Sequence, residues 1–242
     1  MSDNNFISAY FLLHLEHYRK GSPFMTNTNV KNGIRLFFLA YLIMIYLFIS
    51  SQEIQFSFLL LNTFLGYLPI EIAFHLKKNQ SSGWFWLLTL LWLFFYPNAP
   101  YLLTDLFHLT MLRPYDITTG LIKLDIHMWL NYTYLMVSTM SCTLLALVGL
   151  SQIANQIKDR LHFTAAYSRY AIIFVLTILA SIGVYVGRFL RLHTVYLLTS
   201  PKWALKMIGD MWNIKMLAFV VLLTIVQLVI IISLEIYRKT IK

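Results

Sequence analysis

The chain holds a single cysteine, Cys142, in 242 residues, so no disulfide can close within it. Charge is scarce too. Asp, Glu, Lys and Arg make up 12% of the residues, about half the share usual in a soluble domain. Nine glycines and six prolines leave no flexible linker and no low-complexity tract. No P-loop, GxGxxG, GxSxG or CxxC motif occurs, which removes the common signatures of nucleotide binding, serine hydrolysis and thiol redox chemistry. What is present is apolar: 59% hydrophobic residues, with six Trp, fifteen Tyr and eighteen Phe. Disorder requires low hydrophobicity and is excluded. An ordinary soluble enzyme fits poorly; an integral membrane protein fits well.

Five apolar stretches are long enough to cross a membrane, since a bilayer core of about 30 Å takes roughly 20 helical residues. Ile34–Ser51, Ile54–Leu76, Met128–Ala154, Tyr170–Leu190 and Ile214–Tyr237 each suffice. Backbone groups in lipid must be satisfied internally, so these runs are expected to be helices. The run Trp84–Tyr96 is shorter, about 20 Å of helix. It meets Pro97-Asn98-Ala99-Pro100, and a second apolar run, Tyr101–Leu112, follows. The expected fold is therefore an all-α integral membrane helical bundle. It has six transmembrane helices, or five plus a re-entrant pair broken at Pro97–Pro100. Residues 1–33 are read as an N-terminal cytoplasmic or interfacial segment, with Phe6–Leu15 its apolar stretch and Met25 an alternative start. Residues 34–237 form one transmembrane domain, and 238–242 a basic tail.

The excess of nine positive charges lies between the apolar runs and forms no stripe, which points to membrane flanks and away from nucleic acid. With the N-terminus inside, six spans put 12 Lys and Arg inside and 7 outside; the re-entrant alternative gives 13 and 6. Both satisfy the positive-inside rule. In both, segments 97–127 and 187–213 lie on the same side.

Three groups on that side could carry chemistry. The first is Asn98, Tyr101, Thr104, Asp105 and His108. In a helix Asp105 and His108 stand at i, i+3, where a carboxylate can orient an imidazole as general acid or base. The plainer alternative is a helix cap with an interfacial ion pair. The second is Arg188 and Arg191, also i, i+3, with His193 beyond; paired guanidiniums suit phosphate or carboxylate. Gly183 and Gly187 beside them form a small-xxx-small pair, read as a packing surface. The third is Asp125 with His127. Asp105, His108 and Asp125 are thus the candidate catalytic residues, and Arg188, Arg191, Asn98, Tyr101 and His193 the candidate substrate contacts. No metal motif appears, and no metal or other cofactor is expected. Asn62, inside the second span, is read as an interhelical hydrogen-bonding residue. Trp84, Trp86, Trp129, Trp203 and Trp212 sit near span ends, as an aromatic belt would.

Pro97-Asn98-Ala99-Pro100-Tyr101-x-x-Thr104-Asp105-x-x-His108 resembles a bacterial multi-pass membrane family known as domain of unknown function 1361. Asn62, Pro69 and Gly187-Arg188-x-x-Arg191 extend the resemblance, which covers roughly residues 35–236. The family pattern carries an Asn-Ser-Trp-Asp run where this chain reads His193-Thr194-Val195-Tyr196. The resemblance implies a multi-pass protein of the cytoplasmic membrane and no particular reaction. The leading expectation is a non-enzymatic scaffold or accessory protein. An enzyme acting at the membrane face on a lipid-linked or phosphorylated anion is the alternative, and a transporter the second. The lipid bilayer is the expected partner, with an anionic or lipid-linked small molecule under the enzyme reading; oligomeric state is not readable from the sequence.

Overall fold

The computed structural model describes residues 27–51, 56–165, 167–192 and 200–240. The apolar stretch Phe6–Leu15, Met25 and His193 lie outside the described residues. Eight α-helices occur among those described: α1 (Thr28–Ser50), α2 (Phe58–His75), α3 (Ser82–Phe95), α4 (Asn98–Asp105), α5 (Ile126–Arg160), α6 (Ser168–Phe189), α7 (Pro201–Asp210) and α8 (Ile214–Thr240). A 3₁₀ stretch, Leu106–Leu112, continues α4. Among the described residues six helical segments are long and apolar enough to span a membrane, with Ser82–Leu112 counting as one.

That single segment decides between the two expected topologies. Tyr96 and Pro97 keep helical dihedrals. The Tyr101 amide donates to the Pro97 carbonyl at 3.0 Å, carrying the helical pattern across the break. The chain continues in one direction through the prolines, so α3 and α4 are one broken span and not a re-entrant pair. The break is local because proline removes an N–H donor without forcing a reversal. Pro100 leaves the Tyr96 carbonyl to accept from Ala99 N at 3.1 Å. The Asn98 side chain in turn takes the Phe95 carbonyl at 2.9 Å.

The long helix α5 is the hub, packing on α2, α4, α6 and α8. More than half of its most apolar window, 56%, is buried, against 17% for the peripheral α1. Lipid tails are as apolar as leucine, so helices in a bilayer associate through close packing and polar contacts. Both are visible on α5. Thr139 and Thr143 donate to the carbonyls of Leu102 and Ala99 at 3.1 and 3.2 Å, which fastens α4 to the hub. Ser138 meets the hydroxyls of Thr63 at 2.8 Å and Tyr41 at 3.2 Å, which brings in α2 and α1. Between α6 and α8, Ser181, Thr224 and Gln227 form a buried polar seam.

The two ends of the bundle differ. At one end, basic side chains bond carbonyls in the last turn of α2 and in the loop that follows it. Lys31 donates to the Phe74 carbonyl at 2.8 Å, and Arg160 to the carbonyls of Lys78 and Gln80. Arg35–Glu71 and Arg169–Glu235 pair there as well. The five tryptophans expected at span ends are all solvent- or lipid-facing, whereas Trp92 is buried in the core. At the other end, α5 is preceded by a turned loop in which Asp116 accepts from Thr118 and Thr119. Those bonds hold the Asp116 carboxyl below the usual range.

The small-xxx-small pair on α6 seats the broken span. A Cβ at Gly183 would fall 2.5 Å from the Pro97 ring, whereas one at Gly187 would meet Tyr101 at an ordinary 3.6 Å. Gly183→Ala is therefore expected to destabilise the protein by about 1–3 kcal/mol through overpacking, and Gly187→Ala to be nearly neutral. Thermal unfolding of both variants in detergent checks the contrast; equal effects would refute the seating of Pro97 on Gly183.

Candidate functional site

Asp105 closes α4, and its side chain is fully buried. Oδ1 accepts from Arg188 at 2.9 Å and Oδ2 from the Asn62 amide at 2.8 Å. Neither oxygen is left without a donor, as burial of a carboxylate demands. Arg188 comes from the last turn of α6. One terminal nitrogen donates to Asp105 and to the Tyr101 hydroxyl at 3.2 Å; the other reaches the Thr104 carbonyl at 3.1 Å and His108 Nδ1 at 3.4 Å. Its guanidinium also lies 5.4 Å from the centre of the Tyr101 ring. Three helices, α2, α4 and α6, therefore meet in one ionic knot.

His108 sits just past that knot in the 3₁₀ stretch. Its Nδ1 is 3.0 Å from the Asp105 carbonyl oxygen and 3.8 Å from the carboxylate. The Asp105 carbonyl calls for a proton on Nδ1 and the Arg188 N–H for a lone pair there, so the two contacts compete for one ring nitrogen. The ring packs 4.3 Å from Phe58 at the start of α2. A quarter of the side chain, 24%, remains exposed.

The sequence motif from Tyr101 to His108 and Arg188 thus converge, while the other candidates go elsewhere. Helix α6 ends at Phe189, and Arg191 lies beyond it with φ +50. The expected i, i+3 face shared by Arg188 and Arg191 does not form, because a left-handed residue turns the chain away. Asn98 caps the interrupted end of α3, as described above. Asp125 caps α5 by accepting from His127 N at 2.9 Å and Met128 N at 3.5 Å. The capping role once open to Thr104 and Asp105 is not theirs: Thr104 bonds back to the Tyr101 carbonyl, and Asp105 ends its helix. Asn62 belongs to the knot, although its sequence signal, an amide within an apolar run, was no more than that of a helix-bridging residue. Among the described residues no three His, Cys, Asp or Glu side chains gather as a metal site would require.

The sequence profile described as Protein of unknown function (DUF1361) matches residues 61–230, more than half of the chain. The chain belongs to the DUF1361 family. The matched stretch of this DUF1361 protein starts in α2 and ends in α8, so it contains the whole knot and leaves out α1. No curated protein and no solved structure matches the chain.

Asp105 has no route to water, whereas Arg188 keeps 22% of its side chain exposed. Removing the cation strands a buried anion, and removing the anion leaves a cation that can reach solvent. Arg188→Met is expected to cost about 3–5 kcal/mol. Asp105→Asn should cost less, and the double variant less than the sum of the two. A double-mutant cycle of unfolding free energies in detergent checks this; additive losses would refute a coupled pair.

Proposed function

We propose that this protein is a non-enzymatic membrane scaffold or accessory protein, whose outer end is held rigid by the Asp105–Arg188 knot. One observation carries the reading: both terminal nitrogens of Arg188 and both oxygens of Asp105 are occupied by the protein's own groups. An anion clamp needs donors free to turn toward a ligand. A catalytic carboxylate needs access to the reacting atom. Here the charges are spent on joining α2, α4 and α6. The broken span supports the same reading over a transporter. Its irregular backbone is covered by Thr139, Thr143 and Asn98, where a discontinuous transporter helix turns such groups toward a solute.

The enzyme reading has one observation in its favour. His108 is a part-exposed imidazole set beside a carboxylate and a guanidinium. The two readings part on His108→Ala. As a scaffold, the protein should keep its cellular role in proportion to the amount of folded protein across His108→Ala, Asp105→Asn and Arg188→Met. Quantifying membrane abundance alongside rescue of a deletion strain measures this. Rescue lost by His108→Ala at wild-type abundance would overturn the scaffold and favour the enzyme.

The reading places the knot on the outer side of a bacterial cytoplasmic membrane, with the Lys- and Arg-capped end inside, in accord with the positive-inside excess. With Cys142 replaced by Ser, a cysteine at the well-exposed Ile117 should react with an impermeant maleimide in intact cells. One at the exposed Lys77 should react only after lysis. The reverse pattern would invert the topology.

A further inference from the structure

The opposite end of the bundle holds a cavity of about 430 Å³, lined by Lys78, Gln80, Ser82, Gln156, Arg160 and His162 among others. It lies where α2 and α5 end and α3 begins, at the ends of three helices long and apolar enough to span a membrane. Its walls are fixed by backbone bonds. Gln80 accepts from Lys77 N at 3.1 Å, and Gln156 donates to the Leu76 carbonyl at 3.4 Å.

Arg160 is fixed in the same way and still retains an uncommitted nitrogen. Its guanidinium lies 4.2 Å from the Phe85 ring centre. One terminal nitrogen holds the carbonyls of Lys78 at 3.0 Å and Gln80 at 2.7 Å. Among the described residues the other terminal nitrogen has no hydrogen-bond partner, in contrast to both terminal nitrogens of Arg188. Ser82 adds the start of α3, where the Ser81 side chain makes no capping bond. Asp159, the acidic residue of the lining, is already paired with Lys78 at 3.2 Å. The cavity thus presents a preorganised guanidinium and a helix N-terminus, with its carboxylate neutralised by Lys78.

The geometry points to a phosphate-binding site, and its place at the bilayer edge points to the headgroup of an anionic phospholipid as the source. Arg160 supplies the charge left over once Lys78 has balanced Asp159, and Ser82 with the first amides of α3 the directional donors. Stacking on Phe85 keeps Arg160 in position before the ligand arrives, which lowers the ordering cost of binding.

The test is native mass spectrometry of the full chain in detergent with phosphatidylglycerol, phosphatidylcholine and soluble glycerol phosphate as probes. Phosphatidylglycerol should be retained about tenfold better than phosphatidylcholine, a difference of about 1.4 kcal/mol. Arg160→Met should abolish the preference, and Lys158→Met, which removes a neighbouring charge outside the cavity lining, should keep it. Ser82→Asp should abolish it as well, while a carboxylate in the first turn of α3 favours the helix and so preserves folding. Phosphatidylcholine carries the same phosphodiester with a compensating cation, so equal retention of the two lipids would overturn the anionic headgroup as the ligand. A preference that survives both Arg160→Met and Ser82→Asp, or one that Lys158→Met removes equally, would overturn the site. Displacement of the lipid by glycerol phosphate would overturn the lipid source and leave a soluble phosphate ester in its place.

Discussion

A carbonyl that loses its helical donor inside a bilayer has no water to turn to, and the architecture around Pro97–Pro100 answers that constraint. Two prolines in one span disturb the hydrogen-bond ladder where the chain is still within the bundle. Locally, Ala99 N takes the Tyr96 carbonyl and the Asn98 amide the Phe95 carbonyl, while Thr139 and Thr143 from the hub helix and Arg188 from α6 bond carbonyls further along α4. Each repair bond also ties two elements together. The polar residues of α5 that would be out of place in a lipid-facing helix are what anchor the broken span.

Close approach makes those bonds possible. The Pro97 ring rests on Gly183, and Gly66 on α2 meets Leu102 and Cys142, where a Cβ would fall 2.8 and 3.1 Å away. Small residues on both sides let α4 sink between α2, α5 and α6, and this depth buries Asp105. A carboxylate so placed requires full pairing, and Asn62 and Arg188 provide it. The ionic knot is therefore a consequence of the packing as well as a contributor to it. Replacing its two members together should disturb the bundle less than removing either alone.

Much of this was readable from the residues. Length and apolarity identified the spans, the glycine pair announced a packing face, and the Tyr101–His108 spacing gathered the right side chains. Two kinds of feature were hidden. Helix ends were one: Arg191 at i+3 from Arg188 predicts a shared face only while the helix continues, and it stops at Phe189. Asp125 and Asn98 looked chemical for a related reason, since the acceptors and amides that satisfy helix termini are the same groups that bind ligands. Partners distant in sequence were the other. Nothing in the second span links Asn62 to Asp105, 43 positions away, until the packing of α2 against α4 is known.

The two ends of the bundle use the same kinds of side chain to different effect, and that difference bears most on function. At the Asp105 end, arginine is drawn inward and its terminal nitrogens are consumed by the fold. At the other end, Lys31 bonds a carbonyl in the last turn of α2 and Arg160 two carbonyls of the loop after it, and Arg160 does so with one nitrogen while its neighbour stays uncommitted. An inward, fully bonded arginine resists exchange of partners, because each new contact must replace an existing one in a site with little water. A peripheral arginine held by stacking can gain a contact without losing any. By that argument the rigid end sets the geometry of the bundle, and the proposed lipid site sits at the end where donors remain to be shared.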